Sequence, residues 1–77
     1  MSKADKIFEK VISGSADANI RFDDMCFLLR KLRFIERHAD GSHAIFQDGS
    51  HFVNLQNVRG MVKKYQVRQV REILKAR

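Results

Sequence analysis

Two Asp-Gly pairs, Asp40-Gly41 and Asp48-Gly49, interrupt three short apolar segments in the middle of the chain, and they limit its fold more than any other feature. Asp-Gly is a strong hairpin signal, because two-residue loops of this kind favour the positive backbone angles that match strand twist. Segments 34–39, 42–47 and 50–55 are therefore expected to form a three-stranded antiparallel meander. With two-residue turns, Ile35, Ala44, Phe46, Val53 and Leu55 share one sheet face, which should cover the helices. Phe34, Glu36, His38, His43, Ile45, Phe52 and Asn54 then share the other face, and His38 and His43 become cross-strand neighbours. A one-residue bulge at either turn would exchange the faces of one strand.

Helical patterns flank the meander. Ile7, Phe8, Val11 and Ile12 fall on one side of a helix at about 100° per residue, with Ser2 as N-cap, Asp5 three positions on and Gly14 as its stop. The small polar stretch 14–19 is a loop, too short to separate domains. Over 22–32, Phe22, Met25, Leu28, Leu29 and Leu32 recur at helical spacing, and Asp23 and Asp24 sit in the first turn, where the helix dipole favours negative charge. Cys26 lies at the edge of this stripe and reads as a buried structural thiol, while Phe27 falls off it and faces a partner or the N-terminal helix. Segment 56–64 reads as a connector. A last helix over 65–76 packs Val67, Val70, Ile73 and Leu74 and lines up Lys64, Arg68, Arg71 and Lys75 on another side. The bland account of such a charge run is a solvated face. The order helix, helix, three strands, helix gives an α+β domain with helices on one sheet face, an arrangement that resembles the double-stranded-RNA-binding fold.

At 77 residues the chain has room for one core, so 1–77 reads as a single domain. Fifteen Lys and Arg against nine Asp and Glu leave a net charge of +6. That excess suits a polyanion or an acidic protein, because phosphates release counterions when basic side chains neutralise them. No apolar run approaches the roughly 20 residues of a membrane span, and charges break up any secretory core near the N-terminus. The lone Cys26 fits a reducing cytoplasm.

His38, His43 and His51 are the side chains whose ordinary titration falls near neutral pH. An imidazole that moves a proton, beside a cation that steadies a phosphate, is what metal-free cleavage of RNA through its own 2′-hydroxyl requires. The histidines and Cys26 lack zinc spacings, and no carboxylate cluster suggests two-metal chemistry. No metal or cofactor is expected.

The string Gly41-Ser42-His43-Ala44-Ile45-Phe46 resembles the G-S-H-x-x-F signature of the HicA family, the toxin half of a bacterial toxin–antitoxin pair. Ile20-Arg21-Phe22-Asp23-Asp24 and Leu28-Leu29-Arg30-Lys31-Leu32-Arg33-Phe34 precede it, and Asn54-Leu55-Gln56 and Tyr65-Gln66-Val67-Arg68-Gln69-Val70-Arg71 follow, so the resemblance runs over nearly the whole chain. It implies a double-stranded-RNA-binding-like fold, a ribonuclease that cuts mRNA, and a HicB antitoxin, expected to be acidic, that covers the active site. The family's catalytic histidine maps to His43. Gly41 and Ser42 would hold the start of its strand, and Lys63, Lys64, Arg68 and Arg71 would contact backbone phosphates. Phe52 could stack on a base or serve in packing. Arg33, Lys64 and Ala44 depart from the family's usual glycine, proline and second histidine. The competing readings are a module of the same fold that holds RNA without cutting it, and a structural partner of an acidic protein.

Overall fold

The computed structural model describes residues 2–77. It is an α+β fold in the order α1 (Lys3–Ser13), α2 (Phe22–Lys31), β1 (Ile35–Ala39), β2 (His43–Asp48), β3 (His51–Gln56) and α3 (Lys64–Lys75), with a 3₁₀ turn at Asp17–Asn19 between the first two helices. The strands form one antiparallel sheet in the order β1-β2-β3. Ala44, Phe46, Val53 and Leu55 of the sheet are fully buried against Met25, Leu28 and Leu29 of α2, Val11 of α1, and Val67 and Val70 of α3. Truncating a side chain such as Phe46 to alanine costs about 3–5 kcal/mol in a core of this kind.

Local chemistry sets the helix ends. Ser2 Oγ accepts the Asp5 N–H at 3.1 Å and Asp5 Oδ2 accepts the Ser2 N–H, a reciprocal cap, and α1 stops at Gly14 with φ +73°. Helix α2 ends differently. Arg33 takes φ +69° while the Phe34 N–H reaches the Leu29 carbonyl at 3.0 Å and the Arg33 N–H reaches that of Arg30 at 3.1 Å. This is the bonding of a Schellman cap, with buried Phe34 against Leu29 as its apolar contact. Arginine therefore occupies a left-handed position that glycine fills without strain. Lys64 stands at the first position of α3, where proline's missing N–H would leave no helical bond unmade, and Ala44 faces the core.

The sheet corrects the expected register at both turns. Ala39 pairs with Ala44 and Asp48 pairs with His51, so the central residues are Gly41-Ser42 and Gly49-Ser50, one position later than Asp-Gly. Beyond the first turn the pairing slips between Glu36 and His38, leaving Arg37 as a bulge. Glu36 consequently pairs with Phe46 on the helix side, where Arg30 Nε meets its carboxylate at 2.6 Å. Ile35 pairs with Gln47 on the open side and is 55% exposed, and Phe34 is buried ahead of the strand, the reverse of the expected assignment for these three residues. The bulge returns His38 to the open face, opposite Ile45 and diagonal to His43 rather than directly across from it.

Segment 56–64 is more than a connector. Val58 and Met61 exchange backbone hydrogen bonds of 2.9 and 3.0 Å around Arg59 and Gly60, both at positive φ, as in a type I′ turn. The Gly60 carbonyl accepts the Phe22 N–H and the Ile20 carbonyl accepts the Val62 N–H, so this small hairpin ties α2 to the end of the sheet. Phe27 packs at the margin of the core, with the Lys3 ammonium of α1 4.8 Å from its ring centroid. Among the described residues no helix is long and apolar enough to cross a membrane.

Candidate functional site

The open sheet face is built from paired residues, because partners across an antiparallel ladder project to the same side. Its three rows are His43 with Gln56, then His38, Ile45 and Asn54, then Ile35, Gln47 and Phe52. His43 is exposed at the first position of β2. Within the described residues its ring makes no side-chain hydrogen bond or ion pair.

The turn that carries His43 is held from two sides. Asp40 Oδ1 accepts the backbone N–H groups of Ser42 and His43 at 2.7 and 2.8 Å, and its Oδ2 is hydrogen-bonded to His38 Nε2 at 3.0 Å. Those two amides, followed by His38, hold the Asp40 carboxyl down at about 2. From the opposite side Asn57 donates its backbone N–H to the Ser42 carbonyl at 2.8 Å and its Nδ2–H to the Gly41 carbonyl at 2.9 Å. Asn57 Oδ1 accepts the Gly60 N–H at 2.7 Å, which anchors this clamp to the small hairpin and its exposed Arg59. Ser42 acts through its backbone here. A Cβ added at Gly41 would meet nothing within 4 Å, and Gly41 is absent from the positive-φ positions, so the turn itself does not demand glycine there.

The cations expected to hold phosphate separate into three settings. Lys63 is the N-cap of α3, and its backbone N–H shares Gln66 Oε1 with the N–H of Gln56, the residue opposite His43. Gln66 is buried and donates from Nε2 to the Asn54 carbonyl at 3.1 Å, so it fastens the start of α3 beside the His43 end of β3. Lys64 and Arg68 are exposed on the α3 side that faces the 3₁₀ turn, where their charges help to lower the Asp17 pKa. Arg71 is engaged within the fold. Its guanidinium grips Asp17 through Nη1 and Nη2 at 2.9 and 3.1 Å and donates to the Val11 carbonyl at 3.0 Å. The hydrogen bonds from Arg71 are the main cause of the lowered Asp17 pKa. Among the described residues no hydrogen bond or ion pair joins Lys64, Arg68 or Arg71 to the His43 turn.

Burial pushes the Cys26 thiol up to about 11, which removes it as a nucleophile near neutral pH. Among the described residues no group of three or more His, Cys, Asp or Glu side chains is placed to hold a metal ion. Surface depressions lie along α1 beside Phe8 and Ile12 and at the edge of β3 beside His51 and Phe52, and His43 lines neither. Sequence reasoning missed Asp40 and Asn57 as turn clamps. The available signal for Asp40 was its position two and three residues before the amides it binds, the spacing of an Asx turn. Comparison with protein-family models, curated proteins and solved structures returned no match.

Proposed function

We propose that this protein is a metal-independent endoribonuclease of the HicA type, on a double-stranded-RNA-binding-like fold, cutting mRNA in the cytoplasm and held in check by an acidic HicB-like antitoxin. The observation that carries the reading is the free, exposed imidazole of His43, presented on an open sheet face by a turn whose backbone is fastened by Asp40 and Asn57. A fixed turn narrows the positions the ring can take, and that pre-organisation is what proton transfer to or from a bound group needs. His43 acts as base toward a 2′-hydroxyl or as acid toward the leaving oxygen. Lys63, beside the His43 end of the sheet, and Arg59, on the hairpin that Asn57 anchors, are the cations we place nearest the transferring phosphate. Lys64 and Arg68 serve more distant stretches of the backbone.

The test is RNA degradation by the purified protein in chelator, with His43→Ala beside it. Shortened transcripts from the wild type and intact transcripts from the variant are the expected result. A wild type that binds RNA and never shortens it, or a variant that cuts equally well, overturns the reading, and the first outcome leaves an RNA-binding module.

A further inference from the structure

We infer that the open sheet face is the track of the substrate strand and that it accepts unpaired RNA, with Phe52 stacking on a base about two nucleotides from the linkage at His43. The inference rests on the reading of His43 as the cleavage point and adds the substrate form and a recognition residue.

Four observations carry it. Phe52 is 54% exposed and shares its face with His43, since Phe52 pairs with Gln47, Asn54 with Ile45 and Gln56 with His43 along one ladder. Between Phe52 and Gln56 stand the side chains of Asn54 and Gln56, whose amides make no hydrogen bond within the described chain and offer both donors and acceptors to base edges. The three rows of the face contain no carboxylate: Glu36 lies on the helix side, and Asp48 pairs with His51 there. Asp40, at the rim, is already occupied by two amides and His38. A surface of imidazoles, amides, two isoleucines and the exposed Phe52 ring, whose one carboxylate, Asp40 at the rim, is engaged by two amides and His38, suits a chain of bases better than an acidic protein segment.

Spacing sets the register. Strand residues rise about 3.4 Å each, so the Phe52 and Gln56 positions lie about 14 Å apart. A stacked strand advances about 3.4 Å per nucleotide, and an extended one up to about twice that, so the interval spans about two extended nucleotides. Duplex RNA cannot use the face in this way. Its bases are already stacked and paired, and its helical backbone does not place the 2′-oxygen in line with the leaving oxygen.

The experiment measures binding of His43→Ala, which holds substrate without cutting it, to a single-stranded oligonucleotide and to the same sequence closed into a duplex, at one fixed salt concentration. The single strand binds more tightly. Adding Phe52→Ala weakens single-strand binding about 5- to 150-fold, Phe52→Trp restores it, and duplex binding is unchanged. Thermal melts accompany each variant, although an exposed ring is a safe position to change. Equal binding of both RNA forms, or no effect of Phe52→Ala, overturns the inference. A face that ignores both forms overturns it too and passes the surface to a protein partner. A wild type that shows the Phe52 dependence yet leaves RNA intact refutes the nuclease reading alone, whereas cleavage without any Phe52 effect refutes this inference alone.

Discussion

The tetrapeptide Asp-Gly-Ser-His occurs at both hairpin turns, as 40–43 and as 48–51, and the two copies are put to different use. In the first, the aspartate accepts two backbone amides of its own turn, Gly41 is absent from the positive-φ positions, and His43 stands on the open face. In the second, Gly49 takes φ +62°, the Asp48 carboxylate turns to Arg77 at 3.2 Å, Gln47 Nε2 donates to the Gly49 carbonyl, and His51 lies on the helix side. The cause is the length of the strand between them. Strand β2 has six residues, and side chains alternate, so its first and last residues point to opposite faces. Residues flanking a two-residue loop share a face, so identical tetrapeptides are delivered to opposite sides of one sheet. A local motif thus acquires its chemistry from the register around it.

Exchanging residues between the copies tests this difference. The largest effect is expected at the histidines: His43→Ala lowers RNA cleavage about 10²- to 10⁴-fold, while His51→Ala leaves it within about twofold of wild type. Equal losses would mean that the face makes no difference. Next comes Asn57→Ala, which removes the Gly41 clamp and has no counterpart at the second turn. It reduces cleavage by about 10- to 100-fold through misplacement of His43 while the melting temperature moves little. The glycines should reverse that order in stability. Gly49→Ala forces a left-handed alanine and costs about 1 kcal/mol, whereas Gly41→Ala stays within about 0.5 kcal/mol, both read from denaturant midpoints. The smallest effect concerns pH. The Asp40 carboxyl is depressed in the folded chain from 3.8 to about 2. Its contribution is therefore complete above about 4 and fades as the pH falls toward 2. The amide resonances of Ser42 and His43 should follow that acid titration, and Asp40→Asn should abolish it.

Much of this design was legible in the sequence where alternation was clean. Ala44, Phe46, Val53 and Leu55 lie on the core face as their spacing required, and His43 falls on the opposite one. Strand β1 was not legible, because Ile35, Glu36 and His38 alternate as if the ladder were regular and nothing in their types announces the bulge at Arg37. The charge stripe of α3 was legible as a pattern and opaque in purpose. Helical spacing places Arg68 and Arg71 together, but the partner that claims Arg71 is Asp17, 54 positions away in the chain. The role of Asn57 was hidden for a related reason, since it is an ordinary turn former whose bonds to Gly41 and Ser42 depend on where the two loops meet, whereas Asp40 binds amides of its own turn at a spacing the sequence does display.

The grip of Arg71 on Asp17 and the Val11 carbonyl also bears on the order in which the molecule assembles. It joins α3 to the chain before α2, so nearly everything between them must be in place before the guanidinium finds its carboxylate. Such a late-forming clasp belongs to the native side of the folding barrier. Loosening it with Arg71→Lys should steepen escape from the native state while leaving the refolding rate close to its original value, so that the clasp sets how long a molecule stays folded more than how quickly it gets there.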